Sequence, residues 1–232
     1  MQLPGPTSLL FLAFVLVLLP WGARRTAQRL RGELPGTPVS RVLYWRSAVL
    51  LQVVLLVFAW FTGTGFGYGV FAVVQLGWTE VFLSFAAIGL CFGLRRISRW
   101  ARSEEELRGL SVYQRAPRTG AELTWFSVAV VTASVAEEAA YRGVGWSILW
   151  YSLGNPWLAA LIMSVAFSLI HWNQGWKSGV TIFGFATVLH GLVALTNTLV
   201  LAMVVHAVYD FVVGYEIRRT AQRLDHTTAT NM

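Results

Sequence analysis

Six residues with chemically useful side chains interrupt long apolar runs in the second half of this chain. They are Glu137, Glu138, Arg142, His171, His206 and Asp210. A carboxylate held in an apolar cavity can act as a general base toward water, and imidazoles can stabilise an oxyanion or protonate a leaving amine. Together these side chains could supply a base and hydrogen-bond donors to one reaction.

Two pairs among these residues have the spacing of one helical turn. Glu138 precedes Arg142, and His206 precedes Asp210, at i and i+4. Residues at this spacing share a helix face. We therefore expect His206 and Asp210 to point the same way, and Glu138 to pair with Arg142 in a contact that neutralises both charges.

Glu137 is left without a partner on its own helix. It lies about 100° around the helix axis from Glu138. The small residues Ala129 and Ala133 occupy the same stripe as Glu137, which allows a neighbouring helix to approach closely and bring other side chains to the carboxylate. This geometry leaves Glu137 available for chemistry.

The composition excludes a soluble globular domain. Of 232 residues, 56% are apolar and 12% are charged, and the mean hydropathy is +0.57, whereas soluble domains carry about 25% charged residues. The net charge is +7, but the basic residues lie between apolar runs rather than in one patch, which argues against a nucleic-acid partner. The single cysteine, Cys91, excludes an internal disulfide framework and a multi-cysteine metal site.

Seven apolar stretches are long enough to cross about 30 Å of hydrocarbon as helices. They cover approximately residues 3–22, 47–66, 70–94, 123–151, 156–173, 178–194 and 196–215. We therefore predict an all-α, polytopic transmembrane bundle of about seven spans in a lipid bilayer. Its expected divisions are an N-terminal three-span region at 1–119, a four-span core at 120–215 and a basic tail at 216–232.

The charged loops predict an orientation for this bundle. Threading seven crossings through the loops places every basic residue except Arg142 on one side. By the positive-inside rule that side is cytoplasmic, so the N-terminus is expected outside and the C-terminus inside. The first stretch is interpreted as a span rather than a cleaved signal peptide, because Arg24 and Arg25 follow it and no basic residue precedes it. Residues 95–118 are expected to form an interfacial linker, with Glu104–Glu106 as a solvated face.

The reactive side chains fall at a common depth in this arrangement. Counting from the uncharged outer ends of the spans at about 1.5 Å per residue, Glu137, His171, His206 and Asp210 lie about 15–23 Å below the outer surface. They are therefore expected to converge in the cytoplasmic half of the bilayer, where a cavity open to the cytosol would supply water. An ionisable group at membrane depth costs about 2.5–3.5 kcal/mol on insertion scales, which indicates a function.

Three further features have simpler interpretations. His190 has no motif partner and is expected to be an interface histidine. Glu80 lies within the third apolar stretch, and the sequence indicates no partner for it. Gly143 and Gly145 are expected to kink the fourth helix or to permit close packing.

At the reactive residues the sequence resembles the CAAX protease and bacteriocin-processing family, intramembrane proteins related to the Ras-converting CAAX endopeptidase. The family has three motifs: two glutamates followed by an arginine, Phe-x-x-x-His, and His-x-x-x-Asn/Asp. In this sequence they are Glu137-Glu138-Ala-Ala-Tyr-Arg142, Phe167-Ser-Leu-Ile-His171 and His206-Ala-Val-Tyr-Asp210. Each motif alone is weak, but three in order on separate spans are specific. The resemblance covers about 120–215.

The resemblance implies an intramembrane endopeptidase that acts on a peptide or protein substrate near the cytoplasmic face of a bacterial cell membrane. In such an enzyme Glu137 activates the attacking water. The implied catalytic set is Glu137, His171, His206 and Asp210, and the implied supporting set is Glu138, Arg142 and Phe167. The resemblance specifies neither the identity of the substrate nor an oligomeric state, and prenylation of the substrate is not part of the expectation.

Asp210 departs from family members that carry asparagine at this position. A carboxylate cannot donate to an oxyanion unless it is protonated, so Asp210 would instead orient His206 or bind a metal. We expect chemistry without a cofactor. The alternative is a zinc ion held by Glu137, His171 and His206 with water as the fourth ligand, although the sequence has no His-Glu-x-x-His helix.

Two other functions stay open at this point. The first is a non-catalytic membrane scaffold or bacteriocin-immunity factor that keeps the bundle. The second is a proton-coupled transporter in which Glu137, His171 and His206 are relay groups. Transport is the less favoured of the two, because the sequence shows no inverted repeat or pair of broken helices.

Overall fold

The computed structural model describes residues 4–30, 40–65 and 77–230, and no β-strand occurs within these ranges. The α-helices are α1 (Pro6–Ala13), α2 (Leu19–Leu30), α3 (Arg41–Gly65), α4 (Trp78–Trp100), α5 (Glu104–Gly109), α6 (Ser111–Gln114), α7 (Gly120–Glu137), α8 (Trp146–Leu153), α9 (Pro156–Ile170), α10 (Trp176–Thr196) and α11 (Leu199–Thr230). Two π-helical segments, Phe14–Leu18 and Glu138–Gly145, join α1 to α2 and α7 to α8, and a 3₁₀ turn, Trp172–Gln174, follows α9. The predicted all-α bundle is confirmed.

Five helices within the described ranges are long and apolar enough to cross a membrane. They are Pro6–Arg29, Arg41–Gly65, Trp78–Trp100, Trp176–Thr196 and Leu199–Asp225. Helix α9 is apolar but shorter, and the predicted span at 123–151 falls within the continuous helix that α7, the second π-helical segment and α8 form together. The chain is therefore a multi-pass membrane protein, while the number of spans and their direction stay predictions.

The helix of the predicted third span extends beyond the approximate boundary at residue 94. Helix α4 continues to Trp100, and Cys91 and Ser98, two helical turns apart, are both buried. The linker predicted at 95–118 therefore begins only after Trp100, and it contains the short helices α5 and α6. Residues 70–76 of the predicted third span lie outside the described residues.

Two acidic residues that the sequence left without partners cap helices. The carboxylate of Glu80 accepts a hydrogen bond from the backbone N–H of Gly77 at 2.9 Å, in the first turn of α4. The carboxylate of Glu106 accepts from the backbone N–H of Ser103 at 3.1 Å and from Lys177 Nζ at 2.8 Å. Glu106 is exposed, as predicted for the solvated face, and it also links α5 to the first turn of α10.

Helix α9 packs closely against the second π-helical segment. A Cβ atom built on Gly145 would lie 2.4 Å from Met163 Cε on α9 and 2.8 Å from the carbonyl oxygen of Ala140. A π-helical turn is rare and often marks a functional site, and this one includes Glu138 and Arg142. The close packing expected at Gly145 is confirmed.

A separate apolar cluster lies at the basic end of the bundle. It joins α5 and α6 to the last turns of α11, and its buried members are Leu107, Tyr113, Ala116 and Ala221. An ion pair of 2.8 Å between Arg118 and Asp225 links the segment after α6 to α11. These contacts hold α5 and α6 in place beside the candidate site.

Candidate functional site

A buried ion pair forms the centre of the candidate site. The side chains of Glu138 and Arg142, both in the second π-helical segment, are completely buried, and Arg142 Nη1 lies 3.2 Å from Glu138 Oε1. The pairing predicted from their spacing is confirmed. Because each charge has lost its hydration, each depends on the other and on further hydrogen bonds.

His206, on α11, supplies a further hydrogen bond to Glu138. Its Nδ1 lies 2.8 Å from Glu138 Oε1. A carboxylate only accepts, so Nδ1 carries the proton and donates. The sequence predicted Arg142 alone as the partner of Glu138. The added contact fixes both the orientation and the tautomer of the His206 ring.

Phe167, on α9, packs against the charged groups. The guanidinium carbon of Arg142 lies 4.3 Å from the centroid of the Phe167 ring, which is a favourable cation–π distance. The same ring contacts Tyr141, His171 and His206 at centroid distances of 5.2, 4.9 and 6.2 Å. The first residue of the Phe-x-x-x-His motif therefore supports the arginine and both histidines.

Glu137 is the last residue of α7, and it is 5% exposed. Its Oε1 accepts a hydrogen bond of 2.7 Å from Gln52 Nε2 on α3. Its Oε2 lies 3.9 Å from His206 Nε2. The two adjacent glutamates, Glu137 and Glu138, therefore meet opposite nitrogens of one imidazole.

Asp210 lies one turn after His206 on α11. Its Oδ2 is 3.5 Å from His206 Nε2, and 35% of its side chain is exposed. The shared face predicted for these two residues is confirmed. The shorter contact of the His206 ring is nevertheless the hydrogen bond that its Nδ1 donates to Glu138 at 2.8 Å, so in this geometry mainly Glu138 orients the ring, a role that the sequence assigned to Asp210.

His171 is the C-cap residue of α9. Its Nδ1 lies 2.9 Å from the carbonyl oxygen of Phe167, and a carbonyl only accepts, so Nδ1 carries the proton. The other nitrogen, Nε2, is therefore the one available to a reactant. His171 lines the same cavity as His206 and Asp210, so three of the four side chains expected to converge do so at this cavity.

That cavity has a volume of about 140 Å³. Its other polar lining residues come from α4 and the segment after it, from α10 and from the turn before α10, and they are Arg95, Ser98, Arg102, Gln174, Ser178 and Thr181. Leu107 of α5 and Tyr113 of α6 also contribute to the lining. Glu137 does not line the cavity, but its carboxylate lies 3.9 Å from His206, which does.

His190, on α10, belongs to a different part of the bundle. It is buried, and its Nδ1 lies 3.1 Å from the carbonyl oxygen of Ala186 and 3.4 Å from Ser164 Oγ. It lines a second cavity of about 340 Å³ together with Trp146. The sequence predicted a histidine with its hydrogen bonds satisfied, and this is found only in part, because Nε2 is buried without a hydrogen-bond partner within the described residues.

No group of three His, Cys, Asp or Glu side chains within the described ranges is arranged to hold a metal ion. The alternative zinc ligands were Glu137, His171 and His206. In this geometry His206 instead contacts carboxylates with both nitrogens, Glu138 at Nδ1 and Asp210 and Glu137 at Nε2.

Sequence reasoning missed Gln52, which contacts Glu137 from a helix outside the predicted core. A signal for it was present, because Gln52 is a polar amide inside the apolar run Val49-Leu50-Leu51-Gln52-Val53-Val54. Polar side chains at membrane depth almost always face the interior of a bundle. Gln52 could therefore have been predicted to face the bundle interior in the same way as the ionisable residues.

Comparison with known proteins finds a family that this part of the chain is similar to. A family model described as type II CAAX prenyl endopeptidase Rce1-like matches residues 119–212, which nearly coincides with the region of resemblance at 120–215. No curated protein matches the chain, and no solved structure matches it. The matched residues 119–212 contain both glutamates and both motif histidines, and the match supports the family resemblance that the three motifs indicate.

Proposed function

We propose that this protein is an intramembrane endopeptidase that hydrolyses a peptide or protein segment near the cytoplasmic face of the cell membrane, with water activated by Glu137. One observation carries the proposal: Glu137, Glu138 and Asp210 surround the single imidazole of His206 beside a cavity in a membrane protein. The match to a protease family supports the class of reaction.

The first step is general-base catalysis by Glu137. Its carboxylate takes a proton from water while the water oxygen bonds to the carbonyl carbon of the scissile peptide. Oε2 is the accepting atom, because Oε1 already accepts a hydrogen bond from Gln52. The tetrahedral intermediate then collapses, the C–N bond breaks, and the proton passes from Glu137 to the leaving amine. A positioned acid or base contributes about 10²–10⁴ in rate.

The histidines stabilise the oxyanion of that intermediate. His171 and His206 donate their Nδ1 protons to protein oxygens, so each offers Nε2 to the reacting groups. In the imidazolium form Nε2–H donates to the oxyanion, and such a donor is worth about 10²–10³ in kcat. Asp210, 3.5 Å from His206 Nε2, stabilises the imidazolium form.

Admission of a peptide requires α5 and α6 to move. The cavity of about 140 Å³ is smaller than typical ligand sites of about 300–1,000 Å³. Helices α5 and α6 supply part of its lining, and the small cluster around Leu107 and Tyr113 holds them in place. Displacing these two short helices would open the site without disturbing the longer helices.

The proposed chemistry uses no metal, and zinc ligation by Glu137, His171 and His206 is the competing version. The two versions differ in their response to a chelator. In the metal-free version, prolonged dialysis against a strong chelator leaves the cleavage rate unchanged, and metal analysis of the active protein finds no zinc in proportion to protein. Loss of activity on chelation that zinc restores would contradict the metal-free mechanism and support the zinc mechanism.

The test of the proposed function is peptide cleavage by the purified protein in detergent or liposomes. We expect wild type to cleave members of a broad panel of membrane-associated peptides, and Glu137→Gln to lose about 10²-fold or more of the rate at an unchanged Tm. Ser134→Ala is the matched control, because the Ser134 hydroxyl is buried one turn away and donates only to the Val130 carbonyl of its own helix. A folded wild type that cleaves nothing would favour the scaffold or immunity alternative.

A further inference from the structure

The N-terminal region contributes a side chain to the candidate site. Gln52 lies in the middle of α3, outside residues 119–212 that match the protease family. Its side-chain amide reaches Glu137 at the end of α7, and the two side-chain atoms are 2.7 Å apart. The site is therefore built from both halves of the chain.

Packing between α3 and α7 fixes the position of Gln52 along Glu137. Trp45 of α3 meets Phe126 of α7 edge to face, with ring centroids 5.1 Å apart. A second contact lies beside it, where the guanidinium of Arg46, the residue after Trp45, is 4.6 Å from the centroid of the ring of Trp125, the residue before Phe126. These contacts are about two helical turns from Gln52, so they set the register in which the amide arrives at the carboxylate.

The chemistry of the two groups determines which end of the amide faces Glu137. A carboxylate accepts only, so the amide must present its NH₂ group, Nε2, and its carbonyl oxygen points elsewhere. That carbonyl oxygen is buried and has no hydrogen-bond partner within the described residues. Gln52 thus gives up one of its own hydrogen bonds while satisfying Glu137, which is a costly arrangement for a side chain that only fills space.

We propose that Gln52 is a positioning residue for Glu137, an inference that rests on the proposed function. By holding Oε1 through Nε2, it stops rotation of the carboxylate group and directs Oε2 toward His206 Nε2, 3.9 Å away. Without that donor the carboxylate samples other rotamers, and the fraction of molecules with Oε2 in place falls. The first three spans therefore take part in the reaction through one amide.

The experiment compares Gln52→Met with Thr62→Val in the full-length protein. Methionine keeps the length of glutamine but has no N–H donor. Thr62 is the matched control, because it lies on the same helix, is buried, and its hydroxyl has no partner within the described residues. We expect Gln52→Met to lower kcat about tenfold or more, with KM within about twofold and Tm nearly unchanged, as expected when orientation of a catalytic group is lost. Thr62→Val should keep the wild-type kcat.

A second measurement does not depend on activity. A hydrophobic carbodiimide couples to carboxyl groups, and mass spectrometry locates the modified residue. We expect faster modification of Glu137 in Gln52→Met than in wild type, and no change in Thr62→Val, because the released carboxylate is more accessible. Equal modification rates, or a Gln52→Met enzyme with wild-type kcat, would overturn the inference.

These outcomes are separable from failure of the proposed function. If Glu137→Gln is inactive while Gln52→Met is fully active, the positioning role is wrong and the function stands. If Glu137→Gln cleaves normally, the proposed function is wrong, and the carbodiimide measurement alone decides whether Gln52 restrains Glu137.

Discussion

The imidazole of His206 donates a hydrogen bond from Nδ1 to the carboxylate of Glu138 at 2.8 Å. The same carboxylate oxygen accepts from Arg142 at 3.2 Å. Glu138 therefore connects the buried ion pair to the histidine that faces Glu137 and Asp210. Glu138 therefore both neutralises the buried Arg142 and orients His206.

Breaking the buried pair on one side should cost much stability. We expect Glu138→Gln and Arg142→Met each to lower the free energy of unfolding by about 3–5 kcal/mol, because each leaves its former partner buried without a counter-charge. The double variant should be less destabilised than the sum of the two, since it removes both charges. Thermal unfolding in detergent measures all three, and additive losses would show that the pair does not act as a unit.

Asp210→Asn tests what the carboxylate adds beside His206. Asparagine keeps the size of aspartate and can donate to an oxyanion, and the family motif accepts either residue. We expect Asp210→Asn to retain kcat within about tenfold, and Asp210→Ala to lose about 10²-fold, because the alanine variant no longer supports the His206 imidazolium that donates to the oxyanion. Steady-state cleavage rates give the comparison. An inactive Asp210→Asn enzyme would indicate that the negative charge itself is needed.

The Glu106 contact with Lys177 predicts a pH dependence of α5. The hydrogen bonds from Lys177 and from the Ser103 backbone hold the pKa of the Glu106 carboxyl below its usual value. Since the folded pKa is lower than the unfolded one, this stabilisation is present above the unfolded pKa and is lost as pH falls through the folded pKa. Hydrogen-exchange protection of α5 should therefore decrease in that acidic range.

Glu106→Gln should show low α5 protection already at neutral pH. Glu104→Gln is its control, because Glu104 lies in the same first turn and the change leaves the Glu106–Lys177 pair in place. If Glu106→Gln keeps wild-type protection across the pH range, the ion pair does not hold α5.

The fold was predictable where a side chain acts along its own helix. The Glu138–Arg142 and His206–Asp210 contacts follow from helical spacing alone. Contacts between helices were harder to predict from the sequence, because the rotation of each helix about its own axis depends on the packing of the whole bundle. The bonds from Gln52 to Glu137 and from His206 to Glu138 belong to this second kind.

Close packing at the π-helical segment gives a stability prediction. A methyl group on Gly145 would lie 2.8 Å from the Ala140 carbonyl oxygen and 2.4 Å from Met163 Cε. We expect Gly145→Ala to destabilise by about 1–3 kcal/mol, the usual cost of overpacking. Gly89→Ala on α4 is the control, since nothing lies within 4 Å of its added methyl group, and it should stabilise by about 0.5–1 kcal/mol. Equal Tm values for the two variants would contradict the packing described.

Single-turnover cleavage by Glu137→Gln measures the role of Glu137 in the chemical step, because it separates that step from substrate binding and product release. With excess enzyme and a peptide that wild type cleaves, we expect a rate about 10²-fold or more below wild type, with the same peptide affinity and the same Tm. A Glu137→Gln enzyme that cleaves at the wild-type rate would contradict it.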